Sequence, residues 1–262
     1  MELDLSGKVA VVTGASRGIG LAITRSLAGE GVSVVAGARD MTSDLSQLAG
    51  VSAVHPVSVD LSDPEGPARL VAEAISAFGG LDILVNNVGA VRPRPDGFIS
   101  VTDEDWLTTM TINFFAAVRT TRAALPHLLD RGAGNIVTVC SVNAFLPDPL
   151  VIDYSAAKAA LANFSKALSR EVGPRGVRVN TVSPGPVATA LWLGAGGVAE
   201  TVARATGGEA SAVAKQATGE SVTGRFTRPE EVADLVLVLA SDRAGNVTGA
   251  DFVIDGGMVT TL

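Results

Sequence analysis

Residues 8–20 read KVAVVTGASRGIG: a β-branched apolar run ends at Thr13, Gly14 and Gly18 follow, and Gly20 falls just inside the apolar-striped stretch from Ile19 to Ala28. That order, strand then glycine loop then helix, is what a phosphate-bearing ligand needs. Glycines let the backbone turn tightly and approach the ligand, and the free N–H groups of the helix start stabilise its negative charge. The spacing is G-x-x-x-G-x-G, which differs from the commoner G-x-G-x-x-G fingerprint.

The same rhythm continues outward. Apolar runs recur at 32–36, 52–59, 81–86, 135–141, 177–182 and 252–254. They are almost continuously apolar, as in strands buried on both faces of a parallel sheet. Between them lie helical patterns. One is placed at 64–78, with Pro64 near its start and Gly79-Gly80 after it. A long one runs from Thr102-Asp103 through Leu129. Others cover 153–172, before Gly173-Pro174, and 229–240, opened by Pro229 and two glutamates. Seven strands alternating with helices predict an α/β fold: a Rossmann-type doubly wound sheet in a single domain spanning 1–262. The rhythm breaks at 191–226, rich in Gly, Ala, Thr and Ser, which is expected to be a substrate lid.

Composition narrows the function. Of 262 residues, 20 are Lys or Arg and 27 are Asp or Glu, giving a net charge of −7. Such a chain repels a phosphate backbone overall, so no nucleic-acid partner is expected. With Cys140 as its only cysteine and His55 and His127 far apart in sequence, no disulfide framework and no metal site are expected. No run approaches the ~20 apolar residues of a membrane span. The Met1-Glu2-Leu3-Asp4 start is acidic where a signal peptide is basic. The expectation is a cytoplasmic protein with no membrane partner.

Tyr154 and Lys158 are four residues apart in a helical stretch and so share one face. An ammonium one turn away stabilises a phenolate, which makes Tyr154 a plausible proton donor to a ketone oxygen. It is also the only tyrosine. Ser141 closes the fifth apolar run, at the strand end where open α/β sheets bind ligands, and its hydroxyl can hold the substrate oxygen. Asn113 falls inside a helical pattern, where asparagine is poorly suited, so its presence asks for a cause. Cys140 should point away from Ser141 and be buried.

Taken together, the TGASRGIG loop, Asp60-Leu61, NNVG at 86–89, Asn113, Ser141, Tyr154-x-x-x-Lys158 and Pro184-Gly185 resemble the short-chain dehydrogenase/reductase family. The likeness is to its members similar to 3-oxoacyl-carrier-protein reductases. Val88 departs from the alanine many members carry. The resemblance implies reduction of a ketone or 3-oxoacyl group by a nicotinamide cofactor, with Asn113, Ser141, Tyr154 and Lys158 catalytic. In that scheme Asn113 supports a water chain from Lys158. The cofactor would meet Gly14, Ser16, Arg17, Gly18, Ile19 and Gly20. Asp60 and Leu61 would flank the adenine, with Asn87 and Gly89 along its ribose. Tyr154 and Lys158 would also touch the cofactor, and Pro184, Gly185, Val187 and Thr189 would clasp the nicotinamide end.

The residue closing the second strand decides between cofactors. In the family pattern Ala38 stands where an acid would bind the ribose of NAD(H), and Arg39 follows it. With Arg17, two guanidiniums then suit the extra phosphate of NADP(H). The other reading leaves Arg39 in solvent and turns Asp40 to a ribose, as for NAD(H). Asn143 and Phe145, with Leu146 beside them, and Leu191 and Trp192, with Leu193, are candidates to line the substrate site. The stripe Ala156, Ala157, Ala159, Ala160 and Ala162 permits close helix approach, and family members pair there as dimers or tetramers. The rival functions are a dinucleotide-binding sensor without catalysis and a dehydratase or epimerase on the same fold.

Overall fold

A computed structural model describes residues 2–261. Seven strands form one parallel sheet: β1 (Val9–Thr13), β2 (Ser33–Ala38), β3 (Val54–Ser58), β4 (Ile83–Asn86), β5 (Gly134–Val139), β6 (Val177–Pro184) and β7 (Asp251–Ile254). Their order is β3-β2-β1-β4-β5-β6-β7. Winding runs outward in both directions from the β1–β4 pair, so the connections leave these two strands on opposite sides and open a crevice at their carboxyl ends.

The helices are α1 (Gly18–Gly29), α2 (Ser43–Val51), α3 (Gly66–Phe78), α4 (Asp103–Met110), α5 (Ala116–Asp130), α6 (Ile152–Val172), α7 (Ala190–Leu193), α8 (Val198–Thr206), α9 (Ala210–Gly219) and α10 (Pro229–Ala240). Alternation within a strand sends side chains to opposite faces. Ala10 and Val12 join a core with Ile23 and Leu27 of α1 and Val232 and Val236 of α10. Val9 and Val11 join a second core with Leu70 of α3, Leu128 of α5 and Leu168 of α6. Burial on both faces is why the inner strands β1, β2 and β4 are almost wholly apolar, whereas the edge strands β3 and β7 are partly exposed and carry polar residues.

Several local expectations are corrected. The third helix starts at Gly66, with Pro67 in its first turn, rather than at Pro64. Asp60-Leu61-Ser62 is a turn, in which Asp60 Oδ1 accepts from the Ser62 N–H and hydroxyl. The short α2 was missed in the sequence. The long pattern from Thr102 is two helices joined by a π turn at Thr111–Phe115. The segment 191–226 contains three helices, α7 to α9, with no strand.

Candidate active site

The glycine loop sits at the carboxyl end of β1. Thr13 Oγ1 accepts from the N–H groups of Asn87 (2.8 Å) and Val88 (3.0 Å), and donates to the Val85 carbonyl. Asn87 Nδ2 donates to the carbonyls of Thr13 (2.8 Å) and Gly14 (3.2 Å). The Asn87 side chain is therefore a strut beneath the loop, a role the sequence reading did not foresee. A Cβ at Gly20 would overlap the Gly14 carbonyl oxygen and meet Asn87 Nδ2, which explains glycine there. Gly18 has φ +53° and lies against Thr189, bringing the segment after β6 to the loop. No side chain caps the start of α1, and its first turn holds no acid. This leaves N–H groups and the positive end of the dipole for an anion. Ser16 is buried in the loop, and Ile19 is packed against the first core.

At the end of β2, Ala38 is buried and Arg39 is exposed. Arg17 reaches Asp40 at 3.6 Å, so Asp40 faces a cation instead of standing alone to take a ribose. Arg39 lies close enough to Asp60 that its charge, with the larger effect of the Ser62 hydroxyl, lowers the Asp60 pKa. Leu61 is buried beside it. Arg17 and Arg39 are thus both exposed near the end of β2, Arg17 beside Asp40 and Arg39 beside Asp60. Loop cradle and uncapped helix start fit the phosphates of a dinucleotide.

Ser141 follows β5 in extended conformation, two residues beyond the last strand residue. Its hydroxyl donates to Asn143 Oδ1 (3.2 Å) and accepts from the Asn143 N–H (3.2 Å). Asn143 thus orients Ser141. Tyr154 and Lys158 lie on α6 as expected, with Lys158 Nζ 5.6 Å from the centroid of the Tyr154 ring. Lys158 is buried, and its Nζ donates to the Val139 carbonyl at 3.0 Å. Cys140 is buried too, with its thiol donating to the Lys158 carbonyl. Burial pushes that thiol up, away from reactivity.

Asn113 lies in the π turn and is 1% exposed, which rules out a surface role. Its Oδ1 accepts from the Ala90 N–H (3.0 Å), and its Nδ2 donates to the carbonyls of Ala90 (2.8 Å) and Thr109 (3.0 Å). At Gly89 a Cβ would lie 2.9 Å from Asn113 Oδ1 and 3.7 Å from Lys158 Nζ. Gly89 therefore marks the point where the β4 connection, the π turn and α6 converge. A π turn inserts a residue into a helix and re-aims its neighbours, which is the cause Asn113 asked for. The sequence signal was the asparagine itself.

After β6, Gly185 packs against Asp255 and donates to the Ile254 carbonyl. Val187 is buried and bridges Thr227: Ala188 N–H donates to the Thr227 carbonyl, and Thr227 N–H to that of Pro186. These bonds close the stem of the 191–226 segment. Trp192 and Phe226 meet at a tilt of 60° across the same stem, with ring centroids 5.6 Å apart. Leu191, Leu193, Phe145 and Leu146 are each roughly half exposed, whereas isolated side chains of that kind are usually covered in a core. A cavity of about 340 Å³ among Leu193, Ala199, Glu200 and Ala214 lies within this segment and is lined by none of Ser141, Tyr154 or Lys158.

The glycine loop, the serine and the Tyr–Lys pair follow the carboxyl ends of β1 and β5, and comparisons with known proteins place the chain in a family. A family model described as enoyl-(acyl carrier protein) reductase matches residues 14–259. The chain belongs to the short-chain dehydrogenase/reductase family. It is an oxidoreductase acting between alcohols and ketones. It is 36% identical to 3beta-hydroxysteroid dehydrogenase 1 of Eggerthella lenta over 263 residues, 97% of this chain and 95% of that protein. It is 32% identical to the 3-oxoacyl-[acyl-carrier-protein] reductase FabG of Thermotoga maritima over 261 residues, 98% of this chain and all of that one. Among solved structures, L-sorbose reductase from Gluconobacter frateurii, complexed with NADPH and L-sorbose, superposes with a TM-score of 0.91. The identity is 37%, covering 100% of both chains.

Proposed function

We propose that this protein is an NADPH-dependent reductase that converts a ketone to a secondary alcohol, with Tyr154 as proton donor. The observation that carries the reading is the buried Lys158 ammonium set beneath the Tyr154 ring in the first turns of α6, the helix that follows the carboxyl end of β5. The loop 14–20, Thr189, Arg17 and Arg39 would hold the cofactor, whose nicotinamide supplies the hydride. Ser141, aligned by Asn143, holds the substrate oxygen and stabilises the negative charge that develops there. Tyr154 gives that oxygen a proton, and the Lys158 ammonium stabilises the phenolate left behind. Asn113 keeps the Ala90 backbone and its own turn in place beside Lys158. The preference for NADPH over NADH rests on Ala38, Arg39 and Arg17, and on the NADPH bound by the sorbose reductase.

The segment 191–226 is read as the substrate lid, hinged at the Val187–Thr227 bridge. The half-exposed Leu191 and Leu193 on it, and Phe145, suit an apolar part of the substrate. Copies of the chain would pair through the apolar side chains left exposed on α4, the π turn and α6, namely Leu107, Phe115, Ala156 and Ala159. Light scattering at a dilution series reads that association directly.

The deciding experiment is a panel of ketones with NADPH and NADH, run on the protein and on Tyr154→Phe. The expected result is NADPH oxidation with at least one ketone. In the variant, NADPH still binds and turnover falls by roughly a hundred- to ten-thousand-fold. Near-normal turnover in Tyr154→Phe removes it as proton donor, and product without net cofactor consumption favours a dehydratase or epimerase instead.

A further inference from the structure

The corner that carries Tyr154 holds charged side chains for which the reaction scheme has no use. Arg94, in the connection after β4, has only 10% of its side chain exposed, and Asp153, immediately before Tyr154, has 2%. Arg94 donates to Asp153 Oδ2 from Nε (3.2 Å) and from Nη2 (2.6 Å), and from Nη1 to Asp105 Oδ1 (2.9 Å). The same Asp153 Oδ2 accepts from the Thr109 hydroxyl at 2.7 Å. Its other oxygen, Oδ1, accepts from the Tyr154 N–H at 3.0 Å. The Arg94 N–H donates to the Leu150 carbonyl at 2.7 Å. One guanidinium and one carboxylate therefore join the β4 connection, α4 and the first turn of α6.

Taking two charges out of water is costly, and the pair persists only where every hydrogen-bonding position is filled. Here Asp153 accepts four hydrogen bonds. Burial works to raise its pKa, but the bonds from Arg94 and Thr109 outweigh it and hold the carboxyl below the usual range. The bond to Asp153 likewise raises the Arg94 pKa. Asp153 thus stays ionised and fully engaged, and has no proton to give. What it does have is reach in two directions. Through Oδ1 it fixes the backbone of Tyr154. Through Oδ2 it fixes Thr109, whose carbonyl accepts from Asn113 Nδ2. The residue that gives the proton and the turn that supports Lys158 are tied to a single carboxylate.

We propose that Arg94, Thr109 and Asp153 are positioning residues that set the Tyr154 turn of α6 against the Asn113 turn, and so control proton transfer without touching substrate. The inference rests on the assignment of Tyr154 as proton donor. A shift of under an ångström in a reacting group is enough to cost rate in such a site.

The test uses Thr109→Val, which removes only the hydroxyl bond, Thr109→Ser, which restores it, and Arg94→Lys, which keeps the charge but loses the fork. Each is assayed with the best ketone of the panel, well below its own melting temperature, in H2O and in D2O. The NADPH Kd is measured alongside. Thr109→Val and Arg94→Lys are expected to lose about tenfold in kcat, one tenfold step being 1.4 kcal/mol of barrier. Their solvent isotope effect should rise and their NADPH Kd stay within twofold, while Thr109→Ser keeps the parent kcat. A purely structural clamp lowers the melting temperature and leaves kcat and its isotope effect as they were. That result in Thr109→Val, or equal losses in the Val and Ser variants, overturns the proposal. If Arg94→Lys fails to fold, the Thr109 pair decides alone. Tyr154→Phe is run beside them. Its inactivity together with an unaffected Thr109→Val defeats the positioning role only, whereas an active Tyr154→Phe defeats the assignment on which that role depends.

Discussion

The corner around Tyr154 and the segment from Ala190 to Phe226 both lie past the carboxyl ends of strands, yet they are held in opposite ways. At the corner, the nearly covered Arg94 and the buried Asp153 are joined by two hydrogen bonds and make three more, with Asp105, Thr109 and Tyr154. In the segment, Arg204 pairs with Glu200 in solvent, and Arg225 with a Glu231 that is 23% exposed. Breaking a buried pair costs about 3–5 kcal/mol, whereas an exposed one contributes about 0–1 kcal/mol. The corner is thus held where displacement is costly, and the 190–226 segment by exposed pairs that can change without disturbing it. Relatives named for a steroid, an acyl-carrier-protein substrate and a sugar share the whole length of this chain. Such a division allows that spread.

The largest effect expected from breaking this contrast is on the rigid side, at Gly20. An added methyl in Gly20→Ala would overlap the Gly14 carbonyl, and the loop cannot move while Asn87 and Thr13 hold it. Overpacking costs of about 1–3 kcal/mol, or more, are expected. NADPH binding by titration of its fluorescence should fall at least tenfold, along with the melting temperature. Binding at the parent level would mean the loop is looser than its hydrogen bonds imply.

Next comes Arg39, at the exposed edge of the same rigid half. Arg39→Asp replaces a cation that suits the extra phosphate with an anion that repels it. Charged hydrogen bonds contribute about 1.5–3 kcal/mol, so the ratio of kcat/KM for NADPH over NADH should fall by roughly ten- to a hundredfold. An unchanged ratio would leave Arg17 as the sole phosphate partner.

The two halves also differ in how far they can be read from sequence. The glycine loop, the strands and the Tyr154–Lys158 pair were legible because each obeys a local rule: periodicity, turn chemistry or one helical turn of spacing. Asn113 announced itself as a misfit, but the π turn that resolves it did not, since that turn depends on contacts with Ala90 made across the fold. Arg94 and Asp153 are 59 residues apart, and no local rule in the sequence pairs them. Asn87 matched a motif, and only the folded chain makes it a strut. The 191–226 segment was recognised by its missing strand, while its three short helices were masked by glycine and alanine.

In the 190–226 segment, Trp192→Ala removes the ring that packs at a tilt against Phe226. Such pairs contribute about 0.5–1.5 kcal/mol beyond their buried area. For a chain of this length that lowers the melting temperature by only a few degrees. If the segment closes over substrate, KM rises while kcat and NADPH affinity hold, the reverse of the pattern expected for Thr109→Val. A fall in kcat alone would place Trp192 with the rigid corner.

The smallest effect concerns acid. Glu231 sits at the end of the lid stem, where it takes both Nη atoms of Arg225 (2.8 and 2.7 Å) and the Arg228 N–H (2.8 Å). The Arg225 hydrogen bonds, followed by that of the Arg228 backbone, lower its pKa to about 2. A carboxyl more acidic in the folded chain than in the unfolded one stabilises the fold when ionised. Its contribution is complete above the ordinary glutamate range and is lost as the pH falls through that range towards about 2. The site is exposed, so solvent screens it and salt weakens it further. Glu231→Gln should therefore match the parent's melting temperature at pH 3 more closely than at pH 7, with the gap at pH 7 shrinking in high salt. Asp153, whose carboxyl is also held low but is buried, should lose its stabilisation in the same direction and with little salt dependence. Equal salt sensitivity at the two carboxylates would erase the distinction between a fixed corner and a replaceable lid.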